Sequence, residues 1–456
     1  MARGNFEIDM CRGSVFKNVL LFAIPLIFTS MLQLLYNAAD LVVVSRFAGS
    51  NSMAAVGATS SITNLLVNIG IGFALGASVV VARSFGAKDD NGVYRAVHTS
   101  MLISVVLGFV ICAAGFVASK YLLVLMGTPE GEVLDGAVLY MKIIFLGIPA
   151  TMVYNFSASI LRAVGDTKRP LYILACTGLV NVALNLVLVI CFRLDVAGVA
   201  IATITANYLS AIFAVSILMR AETSYKLNLK SLKIYKQELK EIAKVGLPAG
   251  IQSSFFSLAN TVIQSTVNSF GSAAIAGNAA VGNIEGFTYT AMNSFYQATI
   301  TGVSQNYGSK NEKRIYKSIY VPAICVVVIG SLMGILCVVF SKQLLGIYIT
   351  DSPLAVEFAT KRMITTLLPY FLCGLMEVMT GALRGLGCSV ITAVTSFIGA
   401  CGFRIFWVSF ILPVHRTISM LYLCWPISWF AVVVMHIITF IIIRPKAIKR
   451  MKGELV

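Results

Sequence analysis

The sequence predicts an all-α membrane protein with twelve transmembrane helices in two six-helix lobes related by a pseudo-two-fold axis along the membrane normal. Three observations lead there. First, 58% of the residues are hydrophobic and 12% charged, about half the charge that soluble domains carry. Second, apolar runs long enough to cross a bilayer recur at 16–45, 53–82, 96–118, 137–161, 170–192, 197–219, 246–269, 275–304, 319–340, 358–383, 388–412 and 418–443. Third, the chain repeats itself. AIPLIF around Pro25 returns as GLPAGI around Pro248, SFGAKDDNGVYR as NYGSKNEKRIYK, SKYLLVLMGT as SKQLLGIYIT and LRAVGD as LRGLGC, at an offset of 222 or 223 residues that drifts to 220 for Pro149 and Pro369. Six spans per repeat, an even number, give both lobes the same orientation and suit alternating access around a central cavity. The lobes are expected at 1–219 and 245–456, joined by a basic cytoplasmic linker at 220–244.

Taken in order, the first run is too long for the core of a signal peptide and lacks a small-residue cleavage site, so it reads as a retained anchor. Asp40 lies deep in it, with Asn37 and Tyr36 three and four residues earlier and hence on one helical face. An acid within a span by default faces a bundle interior or watery cavity and marks an ion path; the alternative is that Asp40 reaches headgroup water near the helix end. Asn64 and Asn68 share a face of span two, as Asn181 and Asn185 do on span five. Either pair reads as a polar lining or as interhelical glue worth about 0.6 to 2 kcal/mol per bond. Arg162 and Arg384, each followed by the glycine of its LRxxG turn, read as charges at cytoplasmic helix ends. The loop from Arg220 to Lys244 holds seven Lys and Arg, with an amphipathic helix expected around 234–243. Pro25, Pro149, Pro248 and Pro369 interrupt spans and offer bending points, although such helices tolerate proline without one.

Acids within spans are Asp40, Glu285 and Glu377, and none has an acidic twin at the repeat offset. Scaffold residues would tend to repeat, so a division of labour follows: a cation site in the first half and further acids in the second. Glu285, with Phe287 and Tyr289 nearby, is expected to contact cationic substrate. Arg404 needs a partner in the bundle, and Glu377 is the candidate. Met31, Phe156, Phe256, Phe287 and Met292 are candidates to line an adaptable chamber, as flexible and aromatic side chains do in promiscuous sites.

The net charge of +16 does not indicate nucleic acid, because its distribution follows the membrane. With the N-terminus cytoplasmic, 26 of the 35 Lys and Arg fall in cytoplasmic segments, which is the positive-inside pattern with both termini cytoplasmic. The ten Cys residues form no CxxC pair and His98, His415 and His436 are far apart, so neither a disulfide framework nor a metal site has the needed spacing. The absence of any GK pair removes a phosphate-binding loop, and no HxxxxD or DxD motif supports a membrane enzyme.

The AxPxxF start, Asp40 fifteen residues after Pro25, the FGAK loop, LRAVGDTKRP after span four and LRGLG after span ten resemble the multidrug and toxic compound extrusion (MATE) family over essentially the whole chain. The resemblance implies two lobes forming a V and export of organic, often cationic, compounds in exchange for H+ or Na+. In prokaryotic branches it implies a cation site of an Asp on span one, Asn and Asp on span five, and Thr on span six. Asp40, Asn181 and Thr203 match; the remaining position is Asn185, where the family's sodium-competent arrangement has Asp. Other branches use an acid in span seven, and 246–269 contains none.

The expectation is therefore a cation-coupled secondary antiporter in the cell membrane, without a cofactor, working as a monomer on amphipathic small molecules. One carboxylate suffices for a proton relay, whereas Na+ needs a fuller oxygen cage, so H+ is the expected coupling ion and Na+ at the Asp40 cluster the alternative. A lipid-linked saccharide flippase of the same superfamily is the competing function. It would favour a strongly cationic groove, which the scarcity of Lys and Arg within spans argues against. The topology is testable at once: an impermeant thiol reagent should leave Cys11 unlabelled in intact cells and reach it after permeabilisation. Labelling from outside would overturn the whole arrangement.

Overall fold

Apolar periodicity without strand signals yields a helical chain. The computed structural model describes residues 6–128, 130–349 and 352–454, and among these it contains helices and no strand. Val15–Val43 (α1) passes through a π-helical turn into Gly49–Gly86 (α2), followed by Asp90–Leu125 (α3), Glu132–Ala163 (α4), Lys168–Leu186 (α5) with a π-helical end, and Asp195–Met219 (α6). The second repeat gives Lys236–Asn268 (α7), Ser272–Gly308 (α8), Glu312–Val339 (α9), the short Ser341–Gly346 (α10), Pro353–Leu367 (α11), Tyr370–Gly385 (α12), Ser389–Ser396 (α13), Phe403–Phe406 (α14) between two π-helical turns, and Ile418–Lys452 (α15).

Among the described residues nine helical stretches are long and apolar enough to cross a membrane, and α11 with α12, bent by 44° where they meet, makes a tenth. The other two expected spans are α7 and α8, of 33 and 37 residues. Their composition is more polar: α7 opens with KQELKEIAK, and α8 carries Asn, Ser, Thr and Gln along its length. The span expected at 358–383 is thus two helices. Pro369 has no N–H for the carbonyl four residues before it, and its ring crowds that carbonyl. Helices continue through Pro25, Pro149 and Pro248, so of the four interrupting prolines Pro369 alone breaks its helix. Two glycines of α9 lie against the break: a Cβ on Gly334 would sit 2.1 Å from the Leu367 carbonyl oxygen, and one on Gly330 3.0 Å from Phe371 Cα.

The sequence repeat is also a backbone repeat. Gly165 and Gly387 both take left-handed φ, +89° and +84°, and each closes the same turn. Gly165 N–H bonds Arg162 O and Asp166 N–H bonds Leu161 O; Gly387 N–H bonds Arg384 O and Cys388 N–H bonds Leu383 O. This is the Schellman cap, in which glycine avoids the left-handed penalty. Lys88 and Lys310 are left-handed at φ 58° and 57°, and the next residues, Asp89 and Asn311, cap α3 and α9 through their side chains.

By packing, the chain forms two compact units: residues 1–8 with Phe28–Gly250, and Asp9–Ile27 with Ile251–Val456. The core of the first includes Ala77, Val81, Val97, Phe156, Ile160 and Leu218. Residues 220–244 are built into it. Tyr225, Leu227 and Ile242 are at most 2% exposed, Asn228 N–H donates to His98 Nε2 at 3.1 Å, Tyr235 N–H donates to Thr99 Oγ1 at 3.1 Å, and Arg95 pairs with Glu238 at 2.6 Å. A separate amphipathic helix at 234–243 does not form, because Lys236 begins α7 and Ile242 is already core. In the second unit, the Arg314 guanidinium donates to the carbonyls of Met10, Arg12 and Gly13. Gln305 Oε1 receives Met10 N–H at 2.9 Å.

The first LRAVGD turn buries Asp166 completely. Burial is the largest influence on this carboxyl and pushes it up to about 6, against the Arg169 backbone N–H and guanidinium, which favour the ionised form. The folded protein then keeps this proton to higher pH than the unfolded chain, so its contribution to stability is lost as pH rises from about 4 to about 6. In detergent, thermal unfolding of Asp166→Asn should gain on the parent over that interval and hold a constant difference above it. A variant that loses ground as pH rises would mean that the turn stabilises the ionised acid.

Candidate functional site

In the first unit, the part of α1 after Phe28 carries Tyr36, Asn37 and Asp40, and α5 presents Asn181 and Asn185 one turn apart. Asn181 is 6% exposed and Asn185 0%. The Asn185 side-chain amide donates to Asp40 Oδ1 and, at 3.4 Å, to Asn181 Oδ1. The Asn185 carbonyl oxygen is buried without a hydrogen-bond partner. Tyr36 donates its hydroxyl to Ala175 O at 3.2 Å, and its ring fills the space where a Cβ on Gly178 would stand. That packing pins the face of α1 bearing Asp40 against α5. Tyr140 of α4 is near enough to Asp40 to interact with its charge. A hydrogen bond to a charged group is worth about 1.5–3 kcal/mol, whereas an ion removed from water costs several kcal/mol.

Two expected members stand differently. Thr203 donates its hydroxyl to Val199 O, 2.9 Å away on its own helix, so it is not joined to the cluster; a threonine in a helix readily bonds the carbonyl one turn back. Asn37 is exposed.

The second unit answers its charges internally. Glu285 receives an Arg362 guanidinium N–H at 2.5 Å, and Arg362 also donates to Asn278 O and, at 2.7 Å, to Asn278 Oδ1. The expected role of Glu285 as an anionic contact for cations needs correction, because Arg362 neutralises it. Arg404 bonds Asn260 Oδ1 at 3.0 Å and Ser428 Oγ at 3.2 Å, so these groups, rather than Glu377, are its partners. Glu377 lies within hydrogen-bonding reach of Tyr289. Arg384, in the last turn of α12, is 6% exposed and donates to the Tyr296 hydroxyl and to Gln252 Oε1, the latter at 2.7 Å, so the charge at this helix end is held by internal partners.

Of the expected chamber residues, Phe156 and Met292 are 0% exposed. Phe156 belongs to the first unit's core, and Met292 packs beneath Gly374, so neither lines an open space. Met31, Phe256, Phe287 and Asn68 are half-buried and Asn64 is exposed. Sequence reasoning missed Tyr140, Asn278 and the pairing of Arg362. The signal for Arg362 was available: a charge within an apolar stretch demands a partner, and Glu285 needed one too. Among the described residues no group of three or more His, Cys, Asp or Glu side chains could hold a metal ion.

The MatE family model matches residues 25–187 and 248–408, one match in each repeat. The probable multidrug resistance protein YoeA of Bacillus subtilis (strain 168) is 27% identical over 419 residues, which cover 90% of this chain and 89% of YoeA. The multidrug export protein MepA of Staphylococcus saprophyticus is 24% identical over 376 residues, 82% of this chain and 83% of MepA. In fold, the chain is similar to a multidrug resistance MATE family transporter of the MOP superfamily solved in an outward-facing conformation, with a TM-score of 0.88 at 22% identity over 99% of this chain and 100% of that one.

The contact between Gly178 and Tyr36 is open to a double-mutant test. Gly178→Ala should destabilise by about 1–3 kcal/mol, the usual cost of overpacking, and Tyr36→Ala in the same chain should recover most of the loss in melting temperature. Additive losses would mean that the Tyr36 ring is not what the new methyl group meets.

Proposed function

We propose a mechanism for this chain from the premise that it belongs to the MATE family and is a multidrug efflux transporter. It couples the export of amphipathic, often cationic small molecules to proton entry, with Asp40 as the coupling carboxylate. It works as a monomer in the cell membrane with both termini cytoplasmic, as the distribution of Lys and Arg supports.

The observation that carries the coupling assignment is the donor that Asn185 directs at Asp40. An N–H group stands where a cation shared by these two side chains would need an oxygen, the Asn181 oxygen is engaged by the same amide, and the Thr203 hydroxyl is turned to its own helix. Na+ exchanges its hydration shell for several oxygens, and in the orientation it takes here the Asn185 amide meets Asp40 with an N–H rather than with an oxygen. This arrangement serves a proton well. When Asp40 is ionised, the Asn185 N–H stabilises it; when Asp40 is protonated, its O–H needs an acceptor, and the unpartnered Asn185 carbonyl oxygen becomes one by rotation of the amide. Protonation then shifts the balance between access states to the extent that the two states bind the proton with different affinity. The flippase alternative asks for an exposed cationic groove, whereas Arg362, Arg384 and Arg404 are each engaged within their own unit.

In proteoliposomes, a proton gradient in sodium-free buffer should drive efflux, and Asp40→Asn should abolish it while substrate still binds. Asn185→Asp should raise dependence on sodium. Transport that needs a sodium gradient in the parent protein would reverse the ion assignment, and full proton-driven efflux by Asp40→Asn would remove this acid from the mechanism.

A further inference from the structure

The second unit contains a pocket of about 430 Å³ that the coupling mechanism does not use. Four carboxamides (Asn260, Gln264, Asn278 and Asn283) line it together with Glu285 and Arg362. From this constellation we infer a binding site for the uncharged, hydroxyl-rich part of a ligand, such as a sugar ring. The charge balance comes first. Arg362 and Glu285 form an ion pair at 2.5 Å, so the two formal charges of the pocket cancel and neither cations nor anions gain a net Coulombic advantage.

The hydrogen-bond balance comes second. Asn260 Oδ1 accepts from Arg404, Asn278 Oδ1 accepts from Arg362, and the Asn278 amide donates to Gln264 Oε1. The Asn260 amide hydrogens and Glu285 Oε1 take no part in these bonds, nor does Asn283. Donors and acceptors thus remain side by side, and a hydroxyl group, which donates and accepts at one atom, meets both at once. Third, the Trp425 ring lines the same pocket and packs on the Arg362 guanidinium at 5.0 Å from the ring centre. An apolar surface beside a few fixed polar groups is the usual make-up of a small-molecule site.

The test measures binding without any gradient, by equilibrium dialysis of nanodisc-embedded full-length protein against 4-methylumbelliferyl glucoside and the corresponding glucuronide, which differ by one carboxylate. The parent should bind the glucoside at least tenfold more tightly. Glu285→Gln, which leaves Arg362 uncompensated, should reverse that order. Asn283→Leu, which touches none of the bonds above, should weaken the glucoside about tenfold. Absence of saturable glucoside binding, a glucuronide preference in the parent, or an unchanged glucoside affinity in Asn283→Leu would overturn the site. Asp40→Asn should bind the glucoside as the parent does, so a failure of proton coupling through Asp40 and a failure of this pocket give different results.

Discussion

Every charge buried in this molecule has to be answered by a polar group within reach, because the surrounding side chains are hydrocarbon and offer none. The Asn185 amide on Asp40 is a spare instance, one donor to one carboxylate. At the other extreme is Arg362, held by a carboxylate, a backbone carbonyl, a carboxamide and an indole face. The difference decides what each charge can do. A carboxylate held by a single bond worth about 1.5–3 kcal/mol can exchange that bond for another when it takes up a proton. A guanidinium fixed on several sides cannot move without leaving other buried groups unsatisfied.

The two units therefore differ in chemistry although their backbones repeat. The turns at Gly165 and Gly387, and at Lys88 and Lys310, are the same to within a few degrees of φ. At these buried polar positions the repeat is silent: the first unit has an acid beside neutral amides, and the second has arginines each met by an acid, amide or hydroxyl. The helices and their connecting turns repeat, while the polar residues differ between the two units. A repeated frame thus carries two different sets of polar residues.

How much of this was legible follows from the range of the interactions. The helical class, the repeat and most span limits rest on periodicity and composition, which are local and cumulative. A spacing of four places Asn181 and Asn185 on one face, and an acid in a span asks for partners, but it was the resemblance to the MATE family that joined Asp40 to these two amides as a group. The direction of the Thr203 hydroxyl is set by one side-chain rotation that spacing does not encode. Glu285 and Arg362 are 77 positions apart; each signalled a need for a partner, but the pairing depends on how α8 and α11 pack. Phe156 and Met292 were assigned to a chamber on residue type alone, and large apolar side chains fill cores as readily as they line cavities. The break at Pro369 differs from the unbroken passage through Pro25, Pro149 and Pro248 for reasons of packing as well as of proline chemistry.

That break has a mechanical meaning. Proline leaves the carbonyls of the preceding turn without their helical donors, and in a membrane such groups must be sheltered by protein or reached by water. Here the small faces of Gly330 and Gly334 let the backbone of α9 close on the bend, with the Leu367 carbonyl beside Gly334. The elbow is thereby clasped, so α9, α11 and α12 form a braced strut whose angle is set by contact rather than by a free pivot.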